Sequence, residues 1–179
     1  MASKSGKFLY FAYGSNLLTH RIHINNPSAE RIGIGRLNDY QISFVTYSKR
    51  WHGASATIIS KKHGIVWGAL WQIDNADMDH LDKQEGVHEN LYQPLQVDIC
   101  MPSGEKVNAR TYQQLANPPD VSDLKDLPND CRPSVAYWKT IVKGAEETGL
   151  PKEYIHFLHQ IPHNDYHGPV DINLPLWIH

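Results

Sequence analysis

Cysteine is nearly absent from this 179-residue chain: Cys100 and Cys131 are the only two. Two cysteines cannot build a disulfide scaffold. Together with a polar start, Met1 to Lys7, that has no apolar signal core, they lead us to expect a reducing, cytoplasmic setting. No apolar run is long enough to span a bilayer. A dominant sign of charge is missing too. Seventeen Lys and Arg stand against 19 Asp and Glu, a formal net charge of -2, with no long basic or acidic block, which disfavours nucleic acid and anionic membrane as partners. There is no internal repeat and no GxSxG elbow. Gly33 and Gly35 begin a dinucleotide fingerprint, but Asn38 stands where its third glycine belongs, which excludes a Rossmann reading. His20 and His23, and likewise His156 and His159, are three apart, yet no carboxylates or cysteines are patterned with them. They read as solvent-facing helix histidines, and we expect no metal there.

What is present is enough for one domain with a sizeable core. Phe8 to Tyr13 is an aromatic, apolar strand that breaks into Gly14-Ser15-Asn16; Leu17, Leu18, Ile22 and Ile24 then follow near helical spacing. Residues 31–47 read as two strands joined at Asn38-Asp39. Ala54 to Ser60 and Ile65 to Ile73 read as strands around a hairpin loop, Lys61-Lys62-His63-Gly64. Asp74 or Asn75 caps a short helix, Ala76 to Glu85, with Gly86 at its C-terminal glycine position. Leu91 to Met101 pairs with Lys106 to Leu115 across Pro102–Glu105. Residues 116–133 form a long loop. Pro133 opens a helix through Thr148, ended by Gly149, and Pro151 starts another with Tyr154, Phe157, Leu158 and Ile161 on one stripe. Hairpins with interposed helices give an α+β protein whose mixed, mostly antiparallel sheet curls toward a barrel. The expected division is a disordered leader at 1–7, one domain at 8–168 and a C-terminal tail at 169–179.

Two stretches carry chemistry. The strand–loop–helix at residues 8–18 aims backbone N–H groups at one point, which suits an anion or a developing oxyanion, with Ser15 and Asn16 available to cap the helix. Glu85 ends Leu81-Asp82-Lys83-Gln84-Glu85-Gly86. A carboxylate at a helix C-terminus meets the negative end of the macrodipole, which raises its pKa, more so in an apolar site. A glutamate tuned upward can move protons near neutral pH. Tyr92 and Tyr112 are further candidates to line a pocket, each equally readable as a buried strand tyrosine with one hydrogen bond.

Taken together, these stretches resemble the gamma-glutamylcyclotransferase family. The resemblance rests on Tyr10-Phe11-Ala12-Tyr13-Gly14-Ser15-Asn16-Leu17-Leu18, Arg21-Ile22-His23, Asn26-Pro27-Ser28-Ala29, Trp51-His52-Gly53, Val66-Trp67-Gly68, Leu81-Asp82, Gln84-Glu85-Gly86-Val87 and Tyr92. It continues through Gly144-Ala145, Gly149-Leu150-Pro151, Glu153-Tyr154 and Asn164-Asp165-Tyr166. It runs from about Phe8 to Gly168. The chain departs from the pattern at Ala116 to Pro133, longer than the family's usual connection, and Asp171 to His179 have no counterpart.

The resemblance implies a small β-barrel with flanking helices that converts a γ-glutamyl-amino acid into 5-oxoproline and the free amino acid, without cofactor or metal. It implies Glu85 as the proton-handling residue. Tyr10, Phe11, Ala12, Tyr13, Gly14 and Ser15 would form the substrate loop, with Tyr137 as a further substrate contact. It also implies a small-molecule substrate and a homodimer. Two alternatives stay open from the sequence: a related cyclotransferase acting on glutathione or on γ-glutamyl-amines, and a non-catalytic γ-glutamyl-binding module.

Overall fold

The computed structural model describes residues 6–87, 90–175 and 178. Of the leader expected over 1–7, residues 1–5 lie outside the described residues, and Lys7 already opens the first strand. Five strands close a barrel: β1 (Lys7–Ala12), β2 (Glu30–Ser48), β3 (Gly53–Asp74), β4 (Tyr92–Cys100) and β5 (Lys106–Gln114), in the order β1-β3-β2-β4-β5. Pairing is antiparallel except where β5 meets β1 in parallel, Tyr10 beside Arg110. The flanking helices are α1 (Thr19–His23), α2 (Met78–Gln84), α3 (Val135–Thr148) and α4 (Lys152–His159). The α+β barrel expected from the sequence is the observed one.

The strands of the first hairpin are longer than the sequence indicates. Asn38-Asp39 was expected to be a turn and Lys61–Gly64 a hairpin loop; instead β2 and β3 run through both as 19- and 22-residue strands. Their turn chemistry is spent on a bulge. Asp39 takes a left-handed backbone, φ 63°, its carboxylate accepts from His63 N at 3.0 Å, and the register shifts between Asn38 and Tyr40. Bulges bend and twist a strand, which is what lets two long strands wrap a small barrel instead of lying flat. The true reversal of this hairpin is Lys49–His52.

Two local devices set the helices that matter for function. Ser134, one residue after Pro133, caps α3 by accepting from Tyr137 N at 3.2 Å. So Pro133 precedes the cap and does not sit in the first turn. Gly144 on α3 lies against Leu17 and Leu18 so closely that a Cβ there would sit 2.6 Å from Leu17 Cβ. The missing side chain is what brings α3 down onto the turn after β1. At the far end α2 stops at Glu85, followed by Gly86 in the left-handed conformation, φ 68°, as the sequence indicates. Asp74, a candidate cap of this helix, completes β3, and a 3-10 turn, Asn75–Asp77, leads into α2. In the C-terminal segment, Leu174 and Ile178 are buried in the same core as the barrel.

Candidate active site

β1 ends at Ala12, and the chain turns through Tyr13 and Gly14 into a single 3-10 turn, Ser15–Leu17. Neither Ser15 nor Asn16 caps the helix that follows; α1 begins after Leu18 with no side-chain cap. Asn16 is used differently. It is buried, its side-chain amide donates to the Tyr10 hydroxyl at 3.1 Å and points to Glu85 Oε1 at 3.5 Å, and its backbone carbonyl accepts from Trp71 Nε1 at 3.0 Å. The turn is thereby tied to the end of α2, sixty-nine residues away.

A narrow inner pocket lies between these elements. Its walls are Tyr10, Tyr13, Gly14, Ser15 and Asn16 from the first stretch, Ala56 from β3, Glu85 after α2, Tyr92 and Tyr112 from β4 and β5, and Tyr137 from α3. A wider outer cavity of about 970 Å³ shares Ser15, Glu85, Tyr92 and Tyr137 with it. So residues far apart in sequence converge: of those singled out for a site, Glu85, Tyr10, Tyr13, Gly14, Ser15 and Tyr137 meet here, joined by Tyr92 and Tyr112. Phe11 and Ala12 do not line either cavity. Their side chains are buried in the barrel, and the Phe11 carbonyl accepts from Thr111 Oγ1 at 2.9 Å. They hold the turn in place from behind.

The hydroxyls are held in specific roles. Tyr13 donates to the Tyr112 carbonyl at 2.5 Å and Tyr92 to the Ala56 carbonyl at 2.7 Å, while Gln114 Nε2 donates to Tyr92 at 3.1 Å. Tyr137 accepts from Ala56 N at 3.0 Å. Tyr10 and Tyr137 thus each accept from a protein N–H and keep a hydroxyl proton to offer. Burial raises the pKa of all five tyrosines of the pocket. They remain protonated at neutral pH and act as hydrogen-bond groups, not as bases. A Cβ added to Gly14 would meet Ala56 Cβ and the Tyr137 hydroxyl at 3.6 Å, an ordinary contact; a longer side chain would fill the pocket.

Glu85 is the exception among the titratable groups. Loss of hydration pushes its carboxyl up to about 7; Arg21 opposes the rise and Asp82 adds to it. A helix C-terminus by itself raises a carboxyl's pKa. Glu85 does cap α2, but desolvation is the larger effect. Arg21 was part of the resemblance yet carried no role. It is 7% exposed, lies over the Trp51 ring with its guanidinium carbon 5.8 Å from the centroid, and its Nε has no hydrogen-bond partner among the described residues. A signal for it exists in the sequence: Leu17, Leu18 and Ile22 mark the buried stripe, and position 21 lies four and three residues after the leucines.

The raised Glu85 carboxyl has a consequence for stability. A folded state that holds this proton up to about pH 7, against 4.5 for an unperturbed glutamate, is favoured at low pH. That advantage is lost as pH rises from about 4.5 to 7, on the order of 3 kcal/mol in all. Glu85→Gln removes the penalty. Its unfolding free energy in denaturant should match wild type near pH 4.5 and exceed it at pH 8; equal values at both would show that Glu85 is solvated.

The paired histidines face separate partners. His20 Nε2 meets the Asn173 carbonyl at 3.2 Å and His23 Nε2 the Ala29 carbonyl at 2.8 Å. His156 pairs with Gln160 at 3.0 Å and His159 with Glu146 at 3.5 Å.

The chain folds as a closed barrel, and the AIG2-like family pattern matches its residues 65–158. A solved structure of a gamma-glutamyl cyclotransferase superposes with a TM-score of 0.82 at 39% identity, covering 92% of this chain and 93% of that one. A yeast gamma-glutamyl cyclotransferase specific to glutathione, at 11% identity and a TM-score of 0.59, shares the fold alone. In sequence, gamma-glutamylcyclotransferase from Bos taurus is 41% identical over 175 residues, 95% of this chain and 87% of that protein. The Homo sapiens protein of that name is 40% identical over 167 residues, 91% and 83% of the two chains. The chain belongs to the gamma-glutamylcyclotransferase family.

Proposed function

We propose that the chain cyclises γ-glutamyl-amino acids to 5-oxoproline, releasing the free amino acid, and that Glu85 carries the proton. The observation that carries the mechanism is the Glu85 carboxyl, held near neutrality and facing the Gly14–Ser15 turn. The γ-glutamyl head enters the inner pocket. The substrate's α-amine reacts in its neutral form: its nitrogen lone pair attacks the γ-carbonyl carbon, and ionised Glu85 takes the proton the nitrogen sheds as the new C–N bond forms. The carbonyl electrons move to oxygen, which receives hydrogen bonds from the N–H groups at Gly14 and Ser15 and from the Tyr137 hydroxyl. Protonated Glu85 then gives its proton to the leaving nitrogen. The C–N bond breaks, the carbonyl re-forms, and Glu85 is again ionised. A carboxyl with a pKa of about 7 is present in both forms at neutral pH, so one residue serves both transfers. The nucleophile belongs to the substrate, and holding the glutamyl chain folded supplies the orientation advantage.

The outer cavity bears on the substrate class. Arg21, Lys49, Arg50 and Lys83 line it, and among the described residues Glu85 is the one acid in its wall. The chain as a whole has a net charge of -2, so positive charge is concentrated at this mouth against the overall sign. That favours a leaving half with a free carboxylate, an amino acid over a simple amine. Initial rates of 5-oxoproline release should place γ-glutamyl-alanine ahead of γ-glutamyl-ethylamine by about fivefold or more in kcat/KM, a gap that narrows with added salt. Glutathione and γ-glutamyl-ε-lysine complete the panel; a clear preference for either would reassign the substrate. The cytoplasmic setting and the homodimer belong to the same proposal. No helix among the described residues is long and apolar enough to cross a membrane.

A further inference from the structure

One turn before Glu85 on α2, Asp82 holds a second set of charged groups. Arg110 Nη2 donates to both Asp82 oxygens, at 2.9 and 2.8 Å, and Arg110 Nε donates to Oδ1 at 3.2 Å. The Tyr112 hydroxyl donates to the same Oδ1 and accepts from Arg110 Nε at 3.1 Å. The side chains of the ion pair are only 15% and 13% exposed, and a fork of this geometry is stronger and more directional than a solvated surface pair. Arg110 and Tyr112 are alternate residues of β5 and so share a face. The Tyr112 ring meets Tyr10 edge-on, with centroids 5.9 Å apart; the Tyr10 hydroxyl accepts from Asn16, and Asn16 faces Glu85. The contacts therefore form a ring that leaves α2 at Asp82, crosses the barrel wall and returns to α2 at Glu85.

We propose that Asp82, Arg110 and Tyr112 are positioning residues that clamp the last turn of α2 to β5 and set how readily the Glu85 carboxyl releases its proton. The inference rests on the reading of Glu85 as the proton carrier. Asp82 brings a negative charge within one turn of Glu85, which opposes ionisation there. Arg110 and Tyr112 absorb much of that charge, so the clamp holds α2 in place without driving the Glu85 carboxyl out of the neutral range. Among the described residues, the other charged and titratable groups around Glu85 are Arg21 of α1, Tyr10 and Tyr13 beside the first turn, Tyr92 of β4 and Tyr137 of α3, with Tyr47, Lys49, Arg50, His80 and Lys83 on the outer cavity. None of these is altered by substitutions at Asp82 or Arg110.

The test is the pH profile of 5-oxoproline release from γ-glutamyl-alanine. The wild-type acid limb reports Glu85. Asp82→Asn removes the opposing charge and should move that limb toward acid by about half a unit to one unit. Arg110→Gln leaves Asp82 uncompensated and should move the limb toward alkali by a similar amount. Tyr112→Phe keeps the ring and deletes one donor to Asp82; it should move the limb the same way as Arg110→Gln, by less, and serves if either charge variant fails to fold. A merely structural anchor predicts lower turnover with an unmoved limb in all three variants. An unmoved limb, or Asp82→Asn and Arg110→Gln shifting together, overturns the clamp. Retention of activity by Glu85→Gln would instead overturn the reading of Glu85 on which the clamp rests.

Discussion

Replacing Glu85 by Gln should lower kcat for γ-glutamyl-alanine by roughly a thousandfold and should leave product binding, followed by calorimetry with 5-oxoproline, within a few-fold of wild type. The reasoning is steric as well as chemical. Glutamine keeps the size of the side chain, and its carbonyl oxygen can still accept from Asn16 Nδ2, which stands 3.5 Å from Glu85 Oε1. What it cannot do is take a proton from the amine or return one to the leaving nitrogen. Among the described residues, no second group of the inner pocket substitutes: burial keeps Tyr10, Tyr13, Tyr92, Tyr112 and Tyr137 protonated. The residual rate comes from orientation and from the oxyanion donors, which are untouched. Near-normal turnover by Glu85→Gln removes Glu85 from the mechanism.

Arg21→Met carries the second largest expected effect, a fall in kcat/KM of about a hundredfold at pH 7, with no matching loss of stability. Arg21 is the group that opposes the rise of the Glu85 carboxyl. Without it the folded-state carboxyl moves above 7, less of the base is ionised at neutral pH, and the acid limb of the rate profile moves toward alkali. The same guanidinium lines the outer cavity and is available to a substrate carboxylate. Its burial has a cost of its own: desolvation lowers its pKa, and its Nε finds no partner among the described residues. Methionine fills similar space without that cost, so at pH 5, where Glu85 is protonated and needs no counter-charge, the thermal midpoint should hold or rise. A variant with wild-type kcat/KM and an unmoved limb shows that Arg21 is a packing residue; a variant that fails in stability as well as rate shows that the cation is part of the scaffold.

Several features were legible because their causes are local. The aromatic run ending at Gly14, the glycines at 86 and 149 beyond helix ends, and the hairpin across Pro102–Glu105 each declare themselves within a few residues. Glu85 was legible in place but not in cause: its pKa is set by what packs over it, which no stretch of sequence shows. The misreadings share one origin, turn chemistry put to another use. Asp39 and His63 have turn composition, yet their left-handed backbones bend two long strands around a barrel. Asn16 has the composition of a helix cap, yet it binds Tyr10 and faces Glu85 because the pocket needs a donor there. The Asp82 fork to Arg110 spans twenty-eight residues, and Arg110 stands where the pairing of β5 with β1 puts it, beside Tyr10. Phe11 and Ala12 belong to the stretch implied as a substrate loop, yet their side chains are buried in the core and line neither cavity.

The most direct test of the whole account is the pH dependence of 5-oxoproline release by the wild-type protein from γ-glutamyl-alanine, followed chromatographically between pH 5 and 9. The expected result is stoichiometric 5-oxoproline and alanine, with a rate that rises through an acid limb whose midpoint lies near the Glu85 pKa of about 7. No release across the range contradicts the activity, and release at a rate independent of pH between 5 and 8 contradicts Glu85 as its proton carrier.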